Sequence, residues 1–294
     1  MKPLLAHIYD SSRISYPCYV QPKLNGVRAL YQNGCFQSRD ELPFPTGLLD
    51  HLAKPLKETF SPEVILDGEL YVHGWPLQRI NAAVTPVRQS PTEDTIQVQY
   101  HIFDRIDFSL SFIERFKSLV DPVRPIWGPV RNVYTWPAND ASCADLKYAE
   151  FVSEGYEGMM YRLGDCPYTV SKQEWRHPWS TTIARPRTRF LSDKDNRCWH
   201  LLKRKDWQDH EYECVGTVEG EGKLAGTLGA LICNVPMVLA MDRKFHVGSG
   251  LTDAQRDFYW RNPPIGKLIK VKYLCLSSDG IPLNPTIHPD HIVE

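Results

Sequence analysis

The chain has 294 residues, 42% of them hydrophobic and 11% aromatic, which excludes a disordered polymer and predicts packed cores, at this length two of them. Lys and Arg number 34 against 35 Asp and Glu, a formal charge of −1, so any affinity for a polyanion must come from local patches rather than from a global excess. The most apolar stretch, residues 228–241, is broken by Asn234 and Pro236, which excludes a membrane-spanning helix of about 18 apolar residues.

Leu4-Leu5-Ala6 is followed at once by His7 and Asp10, too short an apolar piece for a secretory signal, so a cytoplasmic protein without a membrane partner is expected. The 8 cysteines are scattered with no C-x-x-C pair, which predicts reduced thiols and no zinc ribbon. His288 and His291 flank Pro289 without neighbouring thiols and are expected in a surface loop.

In chain order, residues 27–32, Asn33-Gly34 and residues 35–39 read as a hairpin closed by a type I′ turn, because Asn-Gly tolerates positive φ at both central positions. Residues 46–60 place Leu48, Leu49, Leu52, Leu56 and Phe60 at helical spacing and stop before Pro62. Strands are expected at 64–72, 97–104 and 159–162, and helices at 111–120 and 140–154. This mixture predicts an α+β region of antiparallel sheets and helices over residues 1–205. Beyond it the pattern changes to short glycine-separated strands at 211–218, 226–233, 244–248 and 267–276, with a helical turn at 252–256. About five strands in so short a segment predict a small all-β barrel of the OB type over residues 206–294. The two regions differ in charge: 26 cations to 23 anions in the first, 8 to 12 in the second. Residues 183–205 hold eight cations, among them Arg185, Arg187 and Arg189, against Asp193 and Asp195. Such a stripe suits a polyanion, and from charge alone it suits a solvated loop equally.

Five short segments carry the chemistry: Lys23-Leu24-Asn25-Gly26-Val27-Arg28, Leu66-Asp67-Gly68-Glu69-Leu70, Phe103-Asp104, Glu157-Gly158-Met159-Met160-Tyr161-Arg162 and Leu201-Leu202-Lys203-Arg204-Lys205. Singly each is weak. In this order and at these separations they resemble the nucleotidyltransferase motifs of ATP-dependent DNA ligases, compact viral and phage members above all. Residues 220–231 and 247–256 resemble the OB domain of the same family.

The resemblance implies a monomeric enzyme that seals nicks in double-stranded DNA with ATP and Mg²⁺ or Mn²⁺. Lys23 is then the nucleophile that takes up AMP. An unperturbed lysine near pKa 10.4 offers about one free amine in a few thousand at pH 7, so neighbouring cations and desolvation are expected to favour the amine. Lys203 and Lys205, with Arg28 and Arg39, match the nucleotide- and phosphate-contacting cations; Arg204 is expected to face elsewhere. Glu69 and Glu157 match carboxylates serving nucleotide and metal, and Asp67 joins them as a third metal candidate. Gln21 matches the residue that accepts from the adenine amino group, and Phe103 the ring that stacks on the base.

Three features depart from the family pattern. Asn25 stands where Asp is usual, residues 280–285 lack an arginine often found there, and the stretch between Glu157 and Lys203 is long. That stretch contains Trp175, Trp179 and the arginines 185, 187 and 189, which are expected to touch the DNA backbone. The alternatives are an RNA ligase or a capping-type guanylyltransferase, which share the lysine motif, and a catalytically silent nucleic-acid-binding OB protein.

Overall fold

The computed structural model describes residues 2–87, 90–120, 128–168, 197–235, 243–273, 276–277 and 279–293. The chain divides into two compact units, 1–205 and 206–294. In the first, the elements run β1 (Leu5–Ile8), β2 (Cys18–Lys23), β3 (Val27–Gln32), β4 (Cys35–Ser38), α1 (Asp50–Thr59), β5 (Ile65–Tyr71), α2 (Leu77–Val84) and α3 (Glu93–Gln97). They continue through β6 (Gln99–Ile106), α4 (Phe112–Leu119), β7 (Val130–Asn132), β8 (Trp136–Ala138), α5 (Ala141–Ser153), β9 (Gly158–Arg162) and β10 (Arg197–Arg204).

These strands form two five-stranded sheets, ordered β1-β10-β9-β2-β8 and β4-β3-β5-β6-β7. Asn33 and Gly34 take φ of 49° and 84°, the positive pair that a type I′ turn demands, and so close the β3–β4 hairpin in register. The α1 helix begins at Asp50 rather than at 46, because Gly47 adopts φ 78° and breaks the helical path ahead of the buried Leu48 and Leu49. Ser111 caps α4 through a capping box with Glu114, and Asp140 caps α5 by accepting from the Cys143 amide. Leu52 and Leu56 of α1 meet Leu66 and Leu70 of β5 in one apolar core, while Tyr148 and Phe151 of α5 meet Val20 and Tyr161 in another. Leu30, Ile106 and Leu201, from both sheets, share a third.

The second unit is built from β11 (Gln208–Glu219), β12 (Leu228–Asn234), β13 (Lys244–Val247), α6 (Asp253–Arg261), β14 (Leu268–Tyr273) and β15 (Thr286–Val293). Its sheet order is β13-β12-β11-β14-β15, antiparallel throughout. The long β11 is divided between neighbours, residues 208–213 pairing with β14 and the remainder with β12 across a register shift near Gly216. Ser249 bridges to Thr286, and its carbonyl accepts the Ile287 amide at 2.9 Å, tying the end of β13 to β15 and closing the barrel. The helix α6 runs to Arg261, beyond the single turn expected, and His288 lies in β15 rather than in a loop. Lys270 and Lys272, the cations nearest in sequence to the missing C-terminal arginine, are engaged within this unit: Lys270 pairs with Asp209 at 3.1 Å and Lys272 lies over Trp207.

Candidate active site

The centre of the site lies where β2, β9 and β10 run side by side. Lys23, the last residue of β2, stands opposite Gly158, and the Glu157 amide donates to the Lys23 carbonyl at 3.1 Å. This pairing places the Glu157 carboxylate against the Lys23 ammonium. Its other oxygen accepts from Lys205 Nζ at 3.1 Å, just past the end of β10. Gly158 makes this approach possible: it adopts φ 148°, and a Cβ there would lie 2.2 Å from the Arg204 carbonyl oxygen. Burial would raise the Glu157 carboxyl, but Lys23 and Lys205 outweigh it and hold the group below its usual range.

Gly26 fills the corresponding role beside the nucleophile. A Cβ on it would lie 2.3 Å from the Leu70 carbonyl oxygen, and its amide donates to Glu69 Oε1 at 3.1 Å. Burial pushes the Glu69 carboxyl up to about 7 despite Lys23 and Arg28 nearby. Lys203 is lowered by burial, then by its neighbours Lys205, Arg197 and Lys23. Arg204 turns to the other face, where it pairs with Asp145 and lies over Tyr148.

Lys23, Glu69 and Lys203 border a cleft of about 220 Å³. Lys23, Arg28, Arg39, Arg197 and Lys203 bring positive charge to it, Glu69 a carboxylate, and Leu24, Phe103, Met160 and Leu201 an apolar wall. Cations beside an apolar wall suit a phosphorylated ligand with a flat ring. The structure therefore gathers Lys23, Arg28, Arg39, Glu69, Phe103 and Lys203 around one cleft, with Glu157 and Lys205 joined to Lys23. Arg185, Arg187, Arg189, Trp175 and Trp179 lie outside the described residues.

One of the expected roles needs correction, and a second residue is held by protein partners. Asp67 is 1% exposed and does not join the metal carboxylates: its Oδ1 accepts from Arg28 Nε at 2.9 Å, and its Oδ2 accepts from Arg28 Nη2 and the Tyr168 hydroxyl, both at 2.7 Å. Spacing put Asp67 and Glu69 on one strand face but said nothing of the guanidinium that meets the first of them. Gln21 is fully enclosed, and its carboxamide is committed. The Nε2 donates to the Phe103 carbonyl at 3.1 Å and to Thr135 Oγ1 at 2.8 Å, while Oε1 accepts from Arg162 Nε at 2.6 Å. It shapes the cleft wall, and its Oε1, which accepts one bond, keeps a second lone pair.

Sequence reasoning missed what lies beneath. Asp104, with no exposed surface, accepts from Arg115 at 2.8 and 3.0 Å, from Arg162 at 2.7 Å and from the Arg105 amide at 2.8 Å. Two guanidiniums on one enclosed carboxylate form a positively charged floor whose upper member, Arg162, reaches the cleft. The adjacency of Phe103 and Asp104, one ring in the cleft and one charge below it, was the only signal available.

A family model of the ATP dependent DNA ligase domain matches residues 3–177, and one of the DNA ligase OB-like domain matches residues 219–288. The chain belongs to the ATP-dependent DNA ligase family. The DNA ligase of African swine fever virus (strain Badajoz 1971, Vero-adapted) is 26% identical over 232 residues, which cover 74% of this chain and 48% of that one. The DNA ligase of Methanoculleus marisnigri is 23% identical over 253 residues, covering 83% and 39%. This ligase-family chain thus spans half or less of the length of the curated relatives it matches. Among solved structures, a Lig E DNA ligase described as binding DNA with a minimal scaffold shares the fold at a TM-score of 0.75 and 20% identity, covering 100% of this chain and 99% of its own. The Chlorella virus DNA ligase-adenylate aligns at a TM-score of 0.52 and 22% identity, covering 100% and 98%.

Among the described residues no three His, Cys, Asp or Glu side chains converge as a protein-only metal cage. The carboxylates at the cleft suit a different kind of ion. Mg²⁺ keeps several waters and takes one or two carboxylates together with substrate phosphates. Glu69, half-buried at the cleft, and Glu157, beside Lys23, are the residues that would hold it.

Proposed function

We propose that this chain seals nicks in double-stranded DNA, using ATP and working as a cytoplasmic monomer. The observation that carries the reading is the Lys23 ammonium on the edge of a cationic cleft, held by a carboxylate that a second lysine shares. In the first step Lys23 gives a proton to the Glu157 carboxylate that accepts from it, and the amine so freed attacks the α-phosphorus of ATP, its surplus proton passing to water. A phosphorus–nitrogen bond forms, the bond to the β-phosphate breaks, and pyrophosphate leaves with the charge it gains. Lys203, Arg28 and Arg197 answer the charge that develops on the phosphate oxygens, and Arg28, held by Asp67, and Arg197, held by the Ala6 carbonyl, need little reorganisation at the moment of reaction. When Mg²⁺ is bound, it supplies charge neutralisation at the phosphates. Phe103 offers a ring face to the base. AMP then passes to the 5′-phosphate of the nick, and the 3′-hydroxyl displaces it. Arg185, Arg187 and Arg189 belong to the same reading as contacts to the DNA backbone.

Purified protein mixed with α-labelled ATP and Mg²⁺ is expected to become covalently labelled, and Lys23→Ala to remain unlabelled. Label from GTP in place of ATP moves the reading to a capping enzyme, and no label from either moves it to a silent binder. Offering nicked DNA and nicked RNA duplexes separately decides between the two ligase classes.

A further inference from the structure

Arg28 borders the cleft, yet two of its nitrogens point away from it, into Asp67. Asp67 is held in turn from behind. The Tyr168 hydroxyl donates to its Oδ2 at 2.7 Å and accepts the Leu4 amide at 3.0 Å. Tyr168 is 1% exposed and lies far along the chain from all three. It packs among Leu4, Leu30, Phe108 and Leu201, so its ring has no freedom to follow a moving carboxylate. Burial and the neighbouring Asp67 charge raise the phenol well above its ordinary range, so it always carries the proton that it donates.

A lone carboxylate facing a guanidinium can slide or rotate with it. A carboxylate pinned on its far side by a buried hydroxyl cannot, and a bidentate guanidinium then has one orientation. We infer that Tyr168 is a positioning residue for the first chemical step: through Asp67 it sets the Arg28 guanidinium, leaving Nη1 free to meet phosphate or ribose oxygen in the cleft. The backbone of Leu4, just before the β1 residues Leu5 and Ala6 that border the same cleft, completes the chain of contacts. This inference rests on the reading of Lys23 as the nucleophile, and it accounts for the corrected role of Asp67.

The test is a double-mutant cycle on the rate of self-labelling with α-labelled ATP, with melting curves measured on the same samples. Tyr168→Phe keeps the ring and removes the hydroxyl, and it is expected to slow labelling about tenfold, the scale of one lost hydrogen bond to a charged group. In an Arg28→Ala background the same change is expected to cost less than about twofold, while its effect on melting persists. Equal slowing in both backgrounds would show a general structural role and overturn the inference. A wild-type protein that takes no label overturns the nucleophile assignment instead, and the two failures are therefore distinct. Should Tyr168→Phe not fold, the Arg28 Nε proton of the wild type decides: slow exchange in arginine-labelled NMR spectra is expected, and exchange as fast as in free arginine refutes the locked guanidinium.

Discussion

Glu157 accepts from two ammonium groups at once, and its place depends on the residue after it. With φ at 148° and the Arg204 carbonyl oxygen 2.2 Å from where a Cβ would sit, Gly158 cannot carry a side chain without pushing β9 away from β10. Gly158→Ala is therefore expected to cost more than about 2 kcal/mol of stability, from the strained backbone and the clash together. It should also slow self-labelling about 100-fold, because a shift near 1 Å between reacting groups has consequences of that size. Melting curves and single-turnover labelling check both effects. A variant that labels at the wild-type rate would show that Glu157 need not be held so closely.

Two strands of the first unit carry half-buried histidines whose protonation opposes folding. His101 on β6 is pushed down to about 4 by burial, then by Arg131 and His73, and His200 on β10 to about 4 by burial and Arg115. The folded protein thus keeps both neutral where the unfolded chain, with histidine near 6.5, takes up protons. Their contribution is present in full above about pH 6.5 and is lost as the pH falls towards 4, at about 1.4 kcal/mol per pH unit for each histidine. Denaturant melts between pH 4 and 8 should show this slope, and a His101→Gln, His200→Gln double variant should flatten it. An unchanged slope would place the acid sensitivity on other groups.

How much of each element was legible follows from the range of the interactions that make it. The β3–β4 hairpin could be read from two residues, because Asn33 and Gly34 fix its turn locally. The short strands β1 and β8 could not, since their four and three residues gain meaning only from partners far along the chain. The same holds within the site. Lys23, Glu157, Lys203 and Lys205 were legible as motifs, and strand spacing correctly parted Arg204 from its neighbours. The carboxylates were another matter: which of Asp67 and Glu69 faces the cleft depends on Arg28 and Tyr168, residues that no local pattern connects to them. The Gln21, Arg162, Asp104 and Arg115 contacts span separations of 141, 58 and 11 residues and lay beyond sequence reading for the same reason.

At the scale of the whole molecule, each unit has its own core. Leu52, Leu66 and Tyr100 anchor one in the first unit, and Tyr212, Leu231 and Ile269 anchor that of the second. Two transitions are therefore expected in calorimetry, one for each unit. Leu231→Ala, fully inside the second core, should lower one of them by about 2–5 kcal/mol and leave the other in place. A single transition that shifts as a whole would instead mean that the units unfold together.

The parallel pairing of β1 with β10 has a consequence for biosynthesis. Leu5 lies beside Arg197 and Ile8 beside Lys203, so β1 leaves the ribosome almost two hundred codons ahead of its partner. At about 5–20 residues per second, the nascent chain waits on the order of ten seconds or more with that edge unmatched. The hairpin of β3 and β4 can zip early, but the β1-β10-β9 wall of the first unit waits for β10, and a product cut short before residue 203 leaves the nucleophile without the lysines at 203 and 205.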